Sequence, residues 1–411
     1  MSPYATTALA AEDADVTLSL ARRAERFPDR TAIVDASEDR LHAPAETVHE
    51  DRVTYAELSR IAGRLAGALE DRGVDPGDTV CLVTRNRVAS LALVFACRRL
   101  GATLAPISHR LTPATVTRPF EVLEPAVVVA EAAQRDLVRS IPSDRTVTLE
   151  ELAAADASAV DAGTERGDDA PLLAIHDESG ESVATFLSET LEWNCIDAVL
   201  EWGLSREDSG FVLDPLSTAD GLFRTALPVL YAGGRLLLDR AFDPGDTLAA
   251  IDESGVTVVS GRRAPIRELA IDENAGALAG LERAICDHTV EEASVETLLE
   301  HGVAVSRAYG TPACPTATTR TVSGPTDGEA IGKPVLDCDA RLVDDEGAVL
   351  EGETTGRLQL SGPVVADEYA TPADDRDGSE AASSETLGFV DGWLDTGERF
   401  RRSDDGSYRR A

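Results

Sequence analysis

The chain has 411 residues, 43% of them hydrophobic, with 74 Asp and Glu against 38 Lys and Arg for a net charge of −36. That length supports a large core and more than one subdomain, and the charge argues against nucleic acid or an anionic membrane surface as partner. No apolar run reaches membrane-spanning length and no basic-then-apolar signal opens the chain, so a soluble, cytoplasmic protein is expected.

In chain order, residues 1–51 read as helix and loop, with an acidic stretch near Ala36–Asp51. Thr54-Tyr55-Ala56-Glu57 has the form of a capping box. Leu58, Ile61, Leu65 and Leu69 follow at helical spacing, and Gly73 ends the helix. Strands are predicted at Thr79–Val83, Thr103–Ile107 and Ala126–Ala130, around a helix at Leu91–Leu100 closed by Gly101. Ala153–Asp169, rich in Ala, Asp and Gly, reads as a linker. Alternation then resumes, with strands at Leu172–Ile175, Phe211–Leu213, Arg235–Asp239, Val256–Ser260 and Val303–Ala308. The intervening helices are placed at Thr185–Gly203, Gly221–Ala232, Asp246–Ser254 and Val290–His301. Such alternation predicts parallel sheets covered on both faces. From about Thr326 the texture changes to short strands, Arg341–Asp344 and Gly356–Gly362, between acidic turns. Ala370–Thr386 reads as an exposed insertion.

Cys81, Cys97, Cys195, Cys286, Cys314 and Cys338 form no C-x-x-C pair and read as reduced thiols. Lys333 is the sole lysine. Acidic excess with Arg in place of Lys is expected of a halophilic protein in a high-salt cytoplasm, where charge is screened over about 3 Å at roughly 1 M salt.

Near the end stands Asp391-Gly392-Trp393-Leu394-Asp395-Thr396-Gly397-Glu398. It resembles the D-G-W-x-x-T-G-D segment of the adenylate-forming, AMP-binding enzymes, which include acyl-CoA synthetases. Several landmarks are similar to that family in the same order: Val53–Leu58, Gly73–Val80, Leu100-Gly101-Ala102, Arg110-Leu111-Thr112-Pro113, Trp193-Asn194, Gly332-Lys333-Pro334 and Gly356–Pro363. The resemblance implies an α/β fold of two packed subdomains with mostly parallel sheets, expected at 1–169 and 170–325. A small distorted β-barrel subdomain is expected at 326–411. The family's small C-terminal domain, which carries a catalytic lysine, is expected to be absent. The family reaction activates a carboxylic acid with ATP to an acyl-adenylate and then to acyl-CoA. Carried over, Tyr309 stacks on adenine, Gly310 and Thr396 shape the nucleotide site, and Glu398 accepts the ribose hydroxyls.

Other motifs depart from the family. Its phosphate loop, T-S-G-T-T-G-x-P-K-G, is a nest of N–H groups with a lysine. Here the place reads His176-Asp177-Glu178-Ser179-Gly180-Glu181-Ser182-Val183. A carboxylate about 4 Å from a phosphate charge costs roughly 4 kcal/mol at an effective dielectric near 20. The family's Y-G-x-T-E becomes Tyr309-Gly310-Thr311-Pro312-Ala313. Pro312 lacks the phosphate-touching hydroxyl, and Ala313 offers Mg²⁺ no side-chain oxygen. The adenine wall G-G-A-P becomes Cys286-Asp287-His288-Thr289, and P-L-F-H becomes Pro215-Leu216-Ser217-Thr218. With the phosphate-loop lysine and the Mg²⁺ ligand replaced and the C-terminal-domain lysine expected to be absent, each such group worth about 10²–10³ in rate, no catalytic residue is assigned. Unaided adenylation is not expected. ATP or AMP remains the implied ligand and CoA is open. Two readings follow: an acyl-CoA synthetase-like ligase, impaired alone and completed by a partner chain, or a non-catalytic binder or scaffold that pairs with an intact synthetase.

Remaining groups read mostly as structure. Asp177, Glu178 and Glu181 are either a cation site or, preferably, a solvated loop. Cys286, Asp287 and His288 are sequence neighbours and read as a loop, not a nucleophilic set. His109, His176 and His301 lack metal-ligand spacing. Trp193 and Trp202 read as helix core, and Gly392 and Gly397 as turn residues.

Overall fold

A computed structural model of the chain describes residues 20–36, 52–161, 170–324, 330–370 and 388–411. The expected acidic stretch before Asp51, part of the 153–169 linker and the 371–386 insertion fall outside the described residues.

The fold is the mixed α/β arrangement expected, built on two sheets. The seven-stranded sheet runs, edge to edge, Glu368–Tyr369, Val183–Phe186, Leu173–His176, Thr103–Ser108, Thr79–Thr84, Val127–Ala130 and Thr146–Thr148. Its four central pairings, from Leu173–His176 to Thr146–Thr148, are parallel. These strands are short, apolar and buried on both faces, as parallel strands under helices must be.

The second sheet has fifteen strands. Its parallel part consists of Thr31–Asp35, Arg235–Leu238, Ser209–Val212, Val258–Gly261, Arg283–Asp287 and Ala304–Thr311. Antiparallel strands from Cys314–Val322 to Tyr408–Arg410 continue it. Among the described residues these strands form an open continuation and not a closed barrel. Both sheets mix residues from either side of position 169: Thr31–Asp35 joins the larger sheet, and Leu173–Phe186 joins the smaller.

Local chemistry explains the boundaries. The Thr54 hydroxyl accepts the Glu57 N–H at 3.2 Å and the Glu57 carboxylate accepts the Thr54 N–H at 2.8 Å, starting helix Tyr55–Glu70. Helix Val88–Leu100 is wholly buried and stops at Gly101, which takes φ +69°. The helix expected from Thr185 starts at Ser188, because Val183–Phe186 is a strand. The helix expected at Gly221–Ala232 is interrupted by a π-helical stretch, Leu222–Ala226. All six cysteines are free and buried, and Trp202 is core.

Two polar ties join the sheets. Buried Glu131, beyond the end of Val127–Ala130, accepts from both Arg87 and Arg240. Asn86 donates to Asp214 O at 3.4 Å and accepts the Leu216 N–H at 2.8 Å. The cleft lies beside these ties.

Candidate functional site

Parallel strands of both sheets end at one cavity of about 480 Å³. Ser108, Ile175 and His176 reach it from the smaller sheet. Pro215, Ser217–Asp220 and Arg262 reach it from segments after strands of the larger sheet, Asp287 from the end of strand Arg283–Asp287, and Gly310–Pro312 from the hairpin. Carboxyl ends of strands are where open α/β sheets leave room for ligands.

One wall is the turn between Leu173–His176 and Val183–Phe186. The Asp177 N–H donates to Ser182 O at 2.9 Å and the Gly180 N–H to Asp177 O at 3.2 Å. The Asp177 carboxylate then accepts the Glu181 N–H at 3.0 Å and the Ser179 hydroxyl at 3.0 Å. A phosphate-holding turn directs such donors at its ligand. Here the turn's own carboxylate takes them. Glu178 pairs with Arg262 at 2.6 Å and Glu181 with Arg118 at 2.8 Å. The three carboxylates therefore have separate partners, and among the described residues no group of three His, Cys, Asp or Glu could hold a metal. The Glu181 N–H and the Ser179 hydroxyl of this turn are thus already engaged by Asp177.

His176 braces the turn. Its Nε2 accepts the Ser108 N–H at 3.0 Å, which leaves the proton on Nδ1 to donate to Asp177 O at 2.5 Å. Burial lowers its pKa, favouring this neutral form.

The floor is Arg224, on the π-helical stretch and 2% exposed. Its Nη1 meets Asp220 at 2.7 Å and Asp287 at 3.3 Å. Its Nε and Nη2 donate to Pro315 O at 3.1 and 2.7 Å. Burial alone would raise Asp287, but His288, Arg224 and Thr289 hold it well below the usual carboxylate range. Arg262 donates to Asp214 through both its backbone N–H and its Nε, each at 3.0 Å. Burial, then the nearby Asp220 charge, raises the Asp214 pKa despite Arg262. Buried Arg224 and partly exposed Arg262 are thus both paired with acids.

Of the four nucleotide residues expected from sequence, Gly310 lines the cavity. A Cβ there would stand 2.2 Å from Pro315 O, so the turn accepts only glycine. Tyr309 is 1% exposed, its ring meeting His288 and Phe400 edge-on with centroids 5.1 Å away in each case. Its hydroxyl is buried beside the Thr396 side chain and near Glu398 and makes no hydrogen bond of ordinary geometry. Thr396 donates to Leu358 O at 2.9 Å and accepts the Glu398 N–H at 3.2 Å. Glu398 is partly exposed and pairs with Arg410 at 2.6 Å. Tyr309, Thr396 and Glu398 are neighbours, then, behind the cavity's Gly310 corner.

Pro312 lines the cavity, while Ala313 is buried and its carbonyl accepts the Ala366 N–H at 2.7 Å. Burial pushes the Cys286 thiol up to about 12, which removes it as a nucleophile. His288 Nδ1 does lie 3.4 Å from Asp287. Sequence reading missed Arg224 and Arg262. A lone arginine inside the apolar run Leu222–Leu230 was the available signal.

The model of the AMP-binding enzyme family matches residues 20–187 and 181–370. Feruloyl-CoA synthase of an Amycolatopsis species is 30% identical over 366 residues, covering 87% of this chain and 72% of that protein. Indoleacetate–CoA ligase of Aromatoleum aromaticum is 27% identical over 379 residues, with the same two coverages, 87% and 72%. The structure of Bacillus subtilis O-succinylbenzoate coenzyme A synthetase in complex with AMP superimposes with a TM-score of 0.79 at 22% identity, over 95% of this chain and 97% of that one. ATP-bound MatB from Rhodopseudomonas palustris gives 0.80 at 23% identity, over 96% and 78%. At these identities the structures share a fold.

Proposed function

This chain belongs to the AMP-binding enzyme family, and from that premise we propose that it is an acyl-CoA synthetase-like protein whose cleft binds a small organic acid or AMP without adenylating on its own. The observation that carries the reading is the Asp177 carboxylate seated on the Glu181 N–H and Ser179 hydroxyl. The carboxylate already held by the turn repels a multiply charged triphosphate more strongly than a less charged acid or AMP, since the Coulomb cost scales with ligand charge. The cavity volume, about 480 Å³, suits a compact acid. The matched relatives named for feruloyl-CoA and indoleacetate favour an aromatic carboxylate. Tyr309, Gly310, Thr396 and Glu398 are the proposed nucleoside contacts. Opening that site requires Tyr309 to exchange its contact with Phe400 for one with adenine.

A second reading is a ligase completed by a partner chain, favoured by the adjacency of Tyr309, Thr396 and Glu398. Calorimetry in high salt with Mg-ATP, AMP, ferulate and indoleacetate separates the two. Binding of an acid or AMP without Mg²⁺ dependence supports the binder, and Mg-ATP binding tighter than AMP supports the ligase.

A further inference from the structure

We propose that Asp197 and Asp337 share one proton and form a pH-sensitive latch between the helix after the cleft turn and the sheet that bears Glu398. Asp197 lies on helix Ser188–Trp202 and is 2% exposed. Asp337 follows strand Ala330–Pro334, and its N–H donates to Asp197 Oδ2 at 3.2 Å. The two carboxyl groups also meet side chain to side chain. Asp197 Oδ1 and Asp337 Oδ2 are both buried and lack a donor. Two ionised carboxylates only accept hydrogen bonds, so neither can satisfy the other. One proton converts that repulsion into an O–H···O⁻ bond.

Burial first, and the Asp337 carboxylate next, push the Asp197 carboxyl up to about 7. The other titratable groups around it add no relief. Glu201, on the same helix, is raised by burial while it accepts from the Leu336 backbone. On the sheet side, the Cys338 thiol is held well above its ordinary pKa by contact with Cys314 and by burial, with Asp339 beside it. The same helix makes other ties to the segment before Glu368: Thr190 donates to Asp367 at 2.9 Å and Asn194 to Val364 O at 2.9 Å. The latch holds the opposite end of this docking, where Leu336 is 69% exposed. Nothing in the proposed ligand chemistry uses these two acids.

A pKa raised in the folded state adds stability that is complete below the unfolded value, about 3.9 for Asp, and is lost as pH rises to the folded value. The test compares urea unfolding of the full chain, Asp337→Asn and Asp197→Asn from about pH 5 to about pH 8. An asparagine amide donates permanently, so both variants lose the titration. The ratio of wild-type to variant folding constants is expected to fall roughly tenfold per pH unit up to about pH 7, then level. Amide exchange of residues 335–338, corrected for its intrinsic pH dependence, should rise above that pH in wild type alone. A ratio that stays constant overturns the latch. So does recovery of the wild type at high pH on adding Ca²⁺ or Mg²⁺, which would mark a cation site instead.

Discussion

The carboxylate of Asp177 stands 3.0 Å from the backbone nitrogen of Glu181, so the turn between Leu173–His176 and Val183–Phe186 is closed on itself. Replacing Asp177 by glycine removes that internal anion and frees the N–H and the Ser179 hydroxyl. The variant should lose about 1.5–3 kcal/mol of stability, the scale of a hydrogen bond to a charged group. It should also gain affinity for inorganic pyrophosphate or ATP relative to the wild type, read by calorimetry.

Glu131 joins the two sheets through Arg87 and Arg240, with 3% of its side chain exposed. Glu131→Gln leaves both arginines beside a neutral amide and should cost about 3–5 kcal/mol in urea unfolding. Burial opposes ionisation, but the two arginines hold the Glu131 pKa down to about 2. A depressed folded pKa adds stability above the unfolded value, lost as pH falls through the folded one. Acid unfolding of the wild type should therefore carry a component between about pH 4.3 and about pH 2 that the glutamine variant lacks.

Arg224 holds Asp220, Asp287 and the Pro315 carbonyl together under the cavity. Arg224→Met takes the buried charge away from Asp220 and Asp287, leaving them Arg262 and His288 with Thr289, and should destabilise by about 3 kcal/mol. Arg224→Lys should recover only part of that stability, because a single ammonium cannot reproduce the planar fork that reaches Asp220, Asp287 and Pro315 at once. Unfolding midpoints and calorimetry check both.

The Tyr309 hydroxyl is buried beside Thr396 without a hydrogen bond of ordinary geometry. Tyr309→Phe should therefore leave stability within about 1 kcal/mol of wild type or raise it, since only an unsatisfied group is removed. A loss beyond that range would mean the hydroxyl is engaged in solution.

Much of the fold was legible because backbone punctuation is local. Thr54 and Glu57 cap a helix wherever they occur at that spacing, and Gly101 and Gly203 end helices in the left-handed region. Thr185 and Phe186, the end of strand Val183–Phe186, were absorbed into the helix that follows because one residue separates the two elements and no glycine or proline marks the join. The pairing of Thr31–Asp35 with Arg235–Leu238 was not legible, since two distant segments pair through tertiary packing alone. At the cleft, the sequence exposed the changed phosphate motif through its carboxylates. It did not reveal that Asp177 turns back onto its own loop, nor that Arg224 is compensated by Asp220 and Asp287, because both depend on side-chain direction.

The most direct measurement is exchange of labelled pyrophosphate into ATP by the purified chain alone, with a panel of aromatic and aliphatic acids in high salt. A turn already filled by Asp177 predicts no acid-dependent exchange above background. Acid-dependent exchange by the unaided chain would contradict it and would make this protein a working ligase.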